Sequence, residues 1–253
     1  MSPCTVRGVP PSPAATTSAA PSASRPSAPL VRVVEEALPA PLFRSVRRAI
    51  GRLKAEKLAQ SYWTTFWMPL DASPLHPVEE AVLSLSKLAL PRGHRCLGAE
   101  WWLGRSHTTN VPIELHFDQD VKLRDAGGPL LHPAVSTVLF FNRVRGGQLA
   151  ITDQRADKRG KPRPERAGAM EAIAPRANRY AIFDGDRLHG VLDARGLVPT
   201  GKLPGPPGRL RLTLVVNFWT ARPTAVPLWS EARAYRPLRT ERRPAKVGVR
   251  LRP

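Results

Sequence analysis

Between Leu97 and Trp219 the chain is cut into short runs of aromatic and β-branched residues, each broken off by Gly, Pro or Asn. Leu97–Leu103, Pro112–Asp118, Ser136–Asn142, Gln148–Thr152, Arg179–Asp184, Leu188–Leu192 and Leu210–Trp219 all read as strands. Ahead of them the pattern is helical. Leu42, Phe43, Val46, Ile50, Leu53 and Leu58 recur at helix spacing from about Pro41 to Tyr62, and Pro41 suits a helix start. Pro77–Leu90 reads as a second helix, with Glu79 and Glu80 in the first turn where the helix dipole favours acids. Helices followed by strands predict an α+β protein, mainly β, in which two helices back a sheet sandwich. The stretches 153–169 and 193–208 are expected to be long loops between strands.

Residues 1–29 are Pro, Ser and Ala low complexity and are expected to stay disordered. Seven prolines there argue against the amphipathic helix of a transit peptide, and no apolar segment of secretory type follows the N-terminus. Val138–Phe141 and Leu212–Phe218 are far too short to span a bilayer, so no membrane role is expected. Cys4 and Cys96 provide no disulfide framework, which fits a reducing, cytoplasmic setting. The domain boundaries expected on this basis are a tail at 1–29, one domain at 30–220 and a basic tail at 221–253. Within the domain, 41–90 is the helical part and 97–220 the β part.

The net charge of +19 points to an anionic partner: nucleic acid, an acidic protein or an anionic small molecule. It is unevenly placed. Residues 153–166 hold Arg155, Lys158, Arg159, Lys161, Arg163 and Arg166, and nine basic residues lie between Arg222 and Arg252 against Glu231 and Glu241. Such runs read first as solvated loops. They also keep nucleic acid open as a partner, although no cluster of base-stacking aromatics lies within them.

The chemistry-bearing segment is Pro112-Ile-Glu-Leu-His-Phe-Asp-Gln-Asp120. In a strand, residues two apart share a face, so Glu114, His116, Asp118 and Asp120 are expected opposite Ile113, Leu115 and Phe117. A His nitrogen and an Asp oxygen two residues apart can reach one metal ion. A mononuclear non-haem iron site needs two histidines and one carboxylate, with further positions left open. His189 is the best-placed second histidine, because Gly190 beside it reads as a close backbone approach. Downstream, Arg209, Arg211 and Thr213 alternate onto one face of Gly208–Trp219. Arginines aimed into a sandwich interior are costly unless an anion meets them, and a carboxylate is the natural tenant.

In this order, His116-Phe117-Asp118, then His189, then Arg209 or Arg211, the chain resembles the Fe(II)/2-oxoglutarate-dependent dioxygenases, especially their prolyl-hydroxylase-like branch. Ser136–Phe141 followed by Gly146-Gly147, the segment Phe183 to Val191, and Arg211-Leu212-Thr213 carry the likeness further, over roughly 97–220. The resemblance implies a double-stranded β-helix of jelly-roll or cupin-like type. It implies iron(II) on His116, Asp118 and His189, with 2-oxoglutarate held by Arg211 and Thr213, or by Arg209 in the alternative register. It also implies O2 as co-substrate, ascorbate as a stimulant, and release of succinate and CO2 on hydroxylation of a protein or small molecule. Asn217, Tyr180 and Asn142 are candidate pocket residues. Asp120 and the basic stretch are extra to the pattern. The competing readings are an oxidative demethylase of nucleic acid and a non-catalytic basic β-sandwich that binds RNA or acidic protein. A cupin built on other metals would need more histidines close together.

Overall fold

The computed structural model describes residues 29–53, 64–111, 113–232 and 234–238. Helix α1 (Ala40–Gly51) opens with Pro41 in its first turn and buries Val46, Ala49 and Ile50. It ends at Gly51, short of the expected Tyr62; Leu53 is still buried, and residues 54–63 lie outside the described residues. Helix α2 (Pro77–Ala89) forms where expected. His76 caps it by accepting from the Glu79 N–H, and Glu79 in turn accepts from the Leu75 N–H at 2.7 Å. A third, short helix α3 (Val121–Asp125) was not foreseen.

Ten strands form among the described residues. They are β1 (Arg32–Val34), β2 (Phe66–Pro69), β3 (Gly98–His107), β4 (Val135–Phe140), β5 (Leu149–Ala156), β6 (Pro162–Arg163), β7 (Met170–Ile173), β8 (Tyr180–Asp184), β9 (Arg187–Val191) and β10 (Leu210–Trp219). The larger sheet has the order β1-β8-β4-β10-β3-β2. In the smaller one β5 pairs with β6 and β7 on one edge and with β9 on the other. The segment expected as the strand Pro112–Asp118 is mostly irregular and joins β9 through a single antiparallel bridge, His116 to His189. The chain therefore passes from sheet to sheet in the sequence β3, bridge segment, β4, β5 and β7, β8, β9, β10. This is the winding of a double-stranded β-helix.

The faces of the larger sheet do different work. Trp101, Leu103, Leu139, Tyr180, Ile182, Leu214, Val216 and Phe218 pack toward α1 and α2 in the main core. From the other face Val138, Phe140, Ala181 and Phe183 meet Leu149 and Ile151 of the smaller sheet. Burial of this kind stabilises by about 25 cal/mol per Å² of apolar surface.

Two expectations need correction. The basic stretch 153–169 is not a loop. β5 runs on to Ala156, and a turn held by the Asp157 carboxylate returns the chain as β6. Some of its charge is spent locally: Arg155 pairs with Asp184 and Asp186, and Arg163 with Asp157 and Glu165. Second, the fold does not stop at 220, because Trp229, Tyr235 and Leu238 are buried in the main core. Residues 193–208 do form a connection without strands or helices. Residues 1–28 and 239–253, the bulk of the two expected tails, lie outside the described residues. Among the described residues no helix is long and apolar enough to cross a membrane.

Candidate metal centre

The His116–His189 bridge explains why two histidines distant in sequence share a site. The two residues exchange both backbone hydrogen bonds, at 2.8 and 3.0 Å. Directly opposed residues of an antiparallel pair project their side chains to the same side. Gly190 makes the approach possible, since a Cβ there would stand 2.8 Å from the Glu114 carbonyl oxygen and 3.1 Å from Leu115 Cα. We expect Gly190→Ala to push this segment away, with about 1–3 kcal/mol of destabilisation and a loss of iron affinity of about tenfold. Thermal melting and an iron titration check this, and unchanged iron affinity would contradict it.

One ligand atom from each of His116, Asp118 and His189 lies within 4.8 Å of the others. His116 Nε2 is 3.6 Å from Asp118 Oδ1, and His189 Nε2 is 3.4 Å from Asp118 Oδ2. Each ring is turned by its own backbone: Nδ1 of His116 meets the Glu114 carbonyl at 2.8 Å, and Nδ1 of His189 meets that of Arg187 at 2.9 Å. A carbonyl can only accept, so Nδ1 carries the hydrogen when the ring is neutral and Nε2 presents a lone pair inward. That is the tautomer a metal requires. Ser136 donates to Asp118 Oδ2 at 2.9 Å and orients the carboxylate. The donor set thus fits a mononuclear ion with two imidazoles and one carboxylate. The His116 side chain is 42% exposed while those of Asp118 and His189 are 10% and 8% exposed, so the site opens on the His116 side.

The electrostatics suit a cation. Burial alone would raise the Asp118 carboxyl, but His189 and His116 hold it well below the usual range. Burial lowers His189 against the pull of Asp118 and keeps it neutral. At His116 burial is outweighed by the Asp118 carboxylate, which raises it.

From β10 the buried side chains Arg211, Thr213 and Asn217 project into the space between the sheets. Arg211 is 3% exposed, donates to the Gly147 carbonyl at 2.8 Å and lies over the Phe140 ring at 5.1 Å. Gly147 has φ 65°, and a Cβ there would stand 3.0 Å from Arg211 Cδ. Beside Arg211 in register is Ser106; Asn217 lies between Ser136 and Glu100. Ser106 Oγ, Thr213 Oγ1 and Asn217 Oδ1 are buried without hydrogen-bond partners among the described residues. An unmet buried polar group costs about 1–3 kcal/mol, so a row of three marks a place for a polar ligand. Arg209 is exposed at the mouth of the strand, away from this row.

Several candidates are placed elsewhere. Tyr180 points to the helical layer, on the opposite face of the sheet. Asn142 uses its amide on β10, donating to the Leu210 carbonyl and accepting from the Leu212 N–H. Asp120 faces away from the ligands, capping α3 at Leu123 and accepting from the Thr224 N–H at 2.7 Å. Glu114 is exposed, so the expected polar face reduces to His116 and Asp118.

Three residues near the centre escaped the sequence reading. They are Ser136 as orienter of the carboxylate, His132, whose Nδ1 meets the Asp118 carbonyl, and Glu100. Burial pushes the Glu100 carboxyl up to about 7, against Thr65 beside it and with the charge of Asp118 adding. A raised acid holds its proton in the fold where the unfolded chain has lost it. Its stabilising contribution is therefore present below about 4.5 and lost as pH rises through about 7. Glu100→Gln is expected to flatten that decline and to exceed the native chain in stability at pH 8 by at most about 3 kcal/mol. Denaturant melts at pH 5 and 8 decide it; parallel pH profiles would contradict it.

No family model matches the chain, and neither does any curated protein. Solved structures do align with it. A Pseudomonas putida prolyl-4-hydroxylase aligns over 75% of this chain and 88% of its own, at 21% identity and a TM-score of 0.46. HygX of Streptomyces hygroscopicus, with nickel and 2-oxoglutarate bound, aligns over 79% and 84% at 14% identity and TM-score 0.44. A Trichoplax adhaerens prolyl hydroxylase in complex with a hypoxia-inducible-factor peptide aligns over 76% and 84% at 8% identity and TM-score 0.43.

Proposed function

We propose that the chain is an Fe(II)- and 2-oxoglutarate-dependent dioxygenase that hydroxylates a protein or small-molecule substrate. The carrying observation is the convergence of His116, Asp118 and His189 on one point, with their donor atoms turned inward. Iron(II) held there would supply the activation of O2 coupled to decarboxylation of 2-oxoglutarate to succinate and CO2. The chain's own contribution is binding, orientation and exclusion of water. Arg211 and Thr213, with Ser106 opposite, would hold the remote carboxylate of the co-substrate in the closed part of the sandwich. A planar guanidinium and a hydroxyl suit that geometry. Asp118 and His189 are shielded, while the exposed side of His116 is where a substrate enters.

The test is succinate formation by the purified protein with iron(II), 2-oxoglutarate and a panel of peptides and small molecules. Iron-dependent succinate, stimulated by one member of the panel, is the expected result. No succinate under any condition would remove the proposal.

A further inference from the structure

We propose that the end of the β-helix beyond Arg211 carries a second binding site, for a small molecule bearing two or more phosphate groups. A cavity of about 760 Å³ opens there, lined by Arg143, Arg145, Arg195 and Arg209 together with Gln148. None of these residues belongs to the candidate metal centre or to the buried row of Ser106, Thr213 and Asn217, and none is Arg211 beside that row. The four arginines come from three separate segments: the loop after β4, the turn after β9 and the entry to β10. Among the described residues only Arg195 of the four has an acidic partner, Asp193, at 2.8 Å. Among the described residues Arg143, Arg145 and Arg209 form no ion pair. Like charges gathered in a concavity repel one another and focus a positive field on an anion.

The walls are built rather than loose. Gly146 has φ 76°, and a Cβ there would stand 2.6 Å from Ala194 Cα, so the two loops are packed backbone to backbone. The Leu192 N–H donates to the Gln148 carbonyl at 2.9 Å, and the Asp193 carboxylate holds its own turn through the Arg195 and Leu197 N–H groups. The volume is that of a small-ligand pocket. The guanidinium fork matches phosphate oxygens two at a time, and the three forks of Arg143, Arg145 and Arg209, with the free edge of Arg195 beside them, exceed what a single phosphate can engage. Gathered around one open concavity of small-ligand volume, the exposed arginines suit a compact oligophosphate better than a polymer.

Isothermal titration of the full, metal-free chain with inorganic tripolyphosphate at physiological salt tests this. One tripolyphosphate per chain is expected, bound at least about tenfold more tightly than orthophosphate. The R143A/R145A double variant should weaken it by about tenfold or more, and R195A, made separately, should weaken it as well. K158A/R159A removes the same charge at the β5–β6 turn and should leave the affinity within about twofold. Equal losses in the two double variants would reduce the effect to net charge and overturn the site. Retained binding in R143A/R145A and R195A would do the same. A single-stranded oligonucleotide that displaces tripolyphosphate, and itself depends on Arg143 and Arg145, would overturn the small-molecule assignment.

Discussion

His189→Ala is expected to weaken iron(II) binding by more than about a hundredfold and to abolish turnover, with the fold retained. It removes one of the three ligands proposed among the described residues, whereas changes to residues that merely orient a ligand typically cost 10–100-fold. His116→Ala and Asp118→Ala should match it. Ser136→Ala, which takes away only the hydroxyl that orients Asp118 at 2.9 Å, should fall near about tenfold. Asp120→Ala is the decisive contrast. Its carboxylate caps α3 and holds the Thr224 N–H, so its loss should lower the melting temperature and leave iron affinity intact. Anaerobic iron titration of the five variants checks the set. Equal loss of iron from Asp118→Ala and Asp120→Ala would place the carboxylate ligand wrongly.

Arg211→Ala is expected to raise the 2-oxoglutarate requirement by about a hundredfold while iron affinity stays nearly constant. A buried charge-assisted pair contributes a few kcal/mol, and each ~1.4 kcal/mol is a factor of ten. Lysine should rescue only in part, because it lacks the planar two-pronged donor and cannot reproduce the contact with the Gly147 carbonyl in the same plane. Arg209→Ala, at an exposed position, is the control and should change the requirement little. A 2-oxoglutarate titration of succinate formation distinguishes the two. If Arg209→Ala is the crippled variant, the register is wrong although the chemistry stands.

The convergence of His116, Asp118 and His189 was legible in the sequence because the physics linking them is short-ranged. A two-residue spacing fixes a shared strand face whatever the rest of the fold does, and a glycine beside His189 signals a close backbone neighbour. Which layer each face meets is a long-range property. Tyr180 was therefore assignable to a strand but not to the helical side of it, and Asn142 looked like a pocket residue when its amide is consumed by β10. Strands β6 and β7 were hidden for another reason. Pro162–Arg163 and Met170–Ile173 carry little β-branched character and are held as strands by pairing with β5, not by propensity. The buried pocket residue Ser106 had no local mark at all; only its register opposite Arg211 reveals it.

The ion at His116, Asp118 and His189 and the anion at Arg211 and Thr213 are expected to share one site. Sequential anaerobic calorimetry of the purified chain, first with iron(II) and then with 2-oxoglutarate, tests it most directly. One iron per chain is expected, followed by 2-oxoglutarate binding that is strong only in the iron-loaded protein, weak for succinate, and lost in Arg211→Ala. Binding of 2-oxoglutarate that is indifferent to iron, or to Arg211, would contradict it.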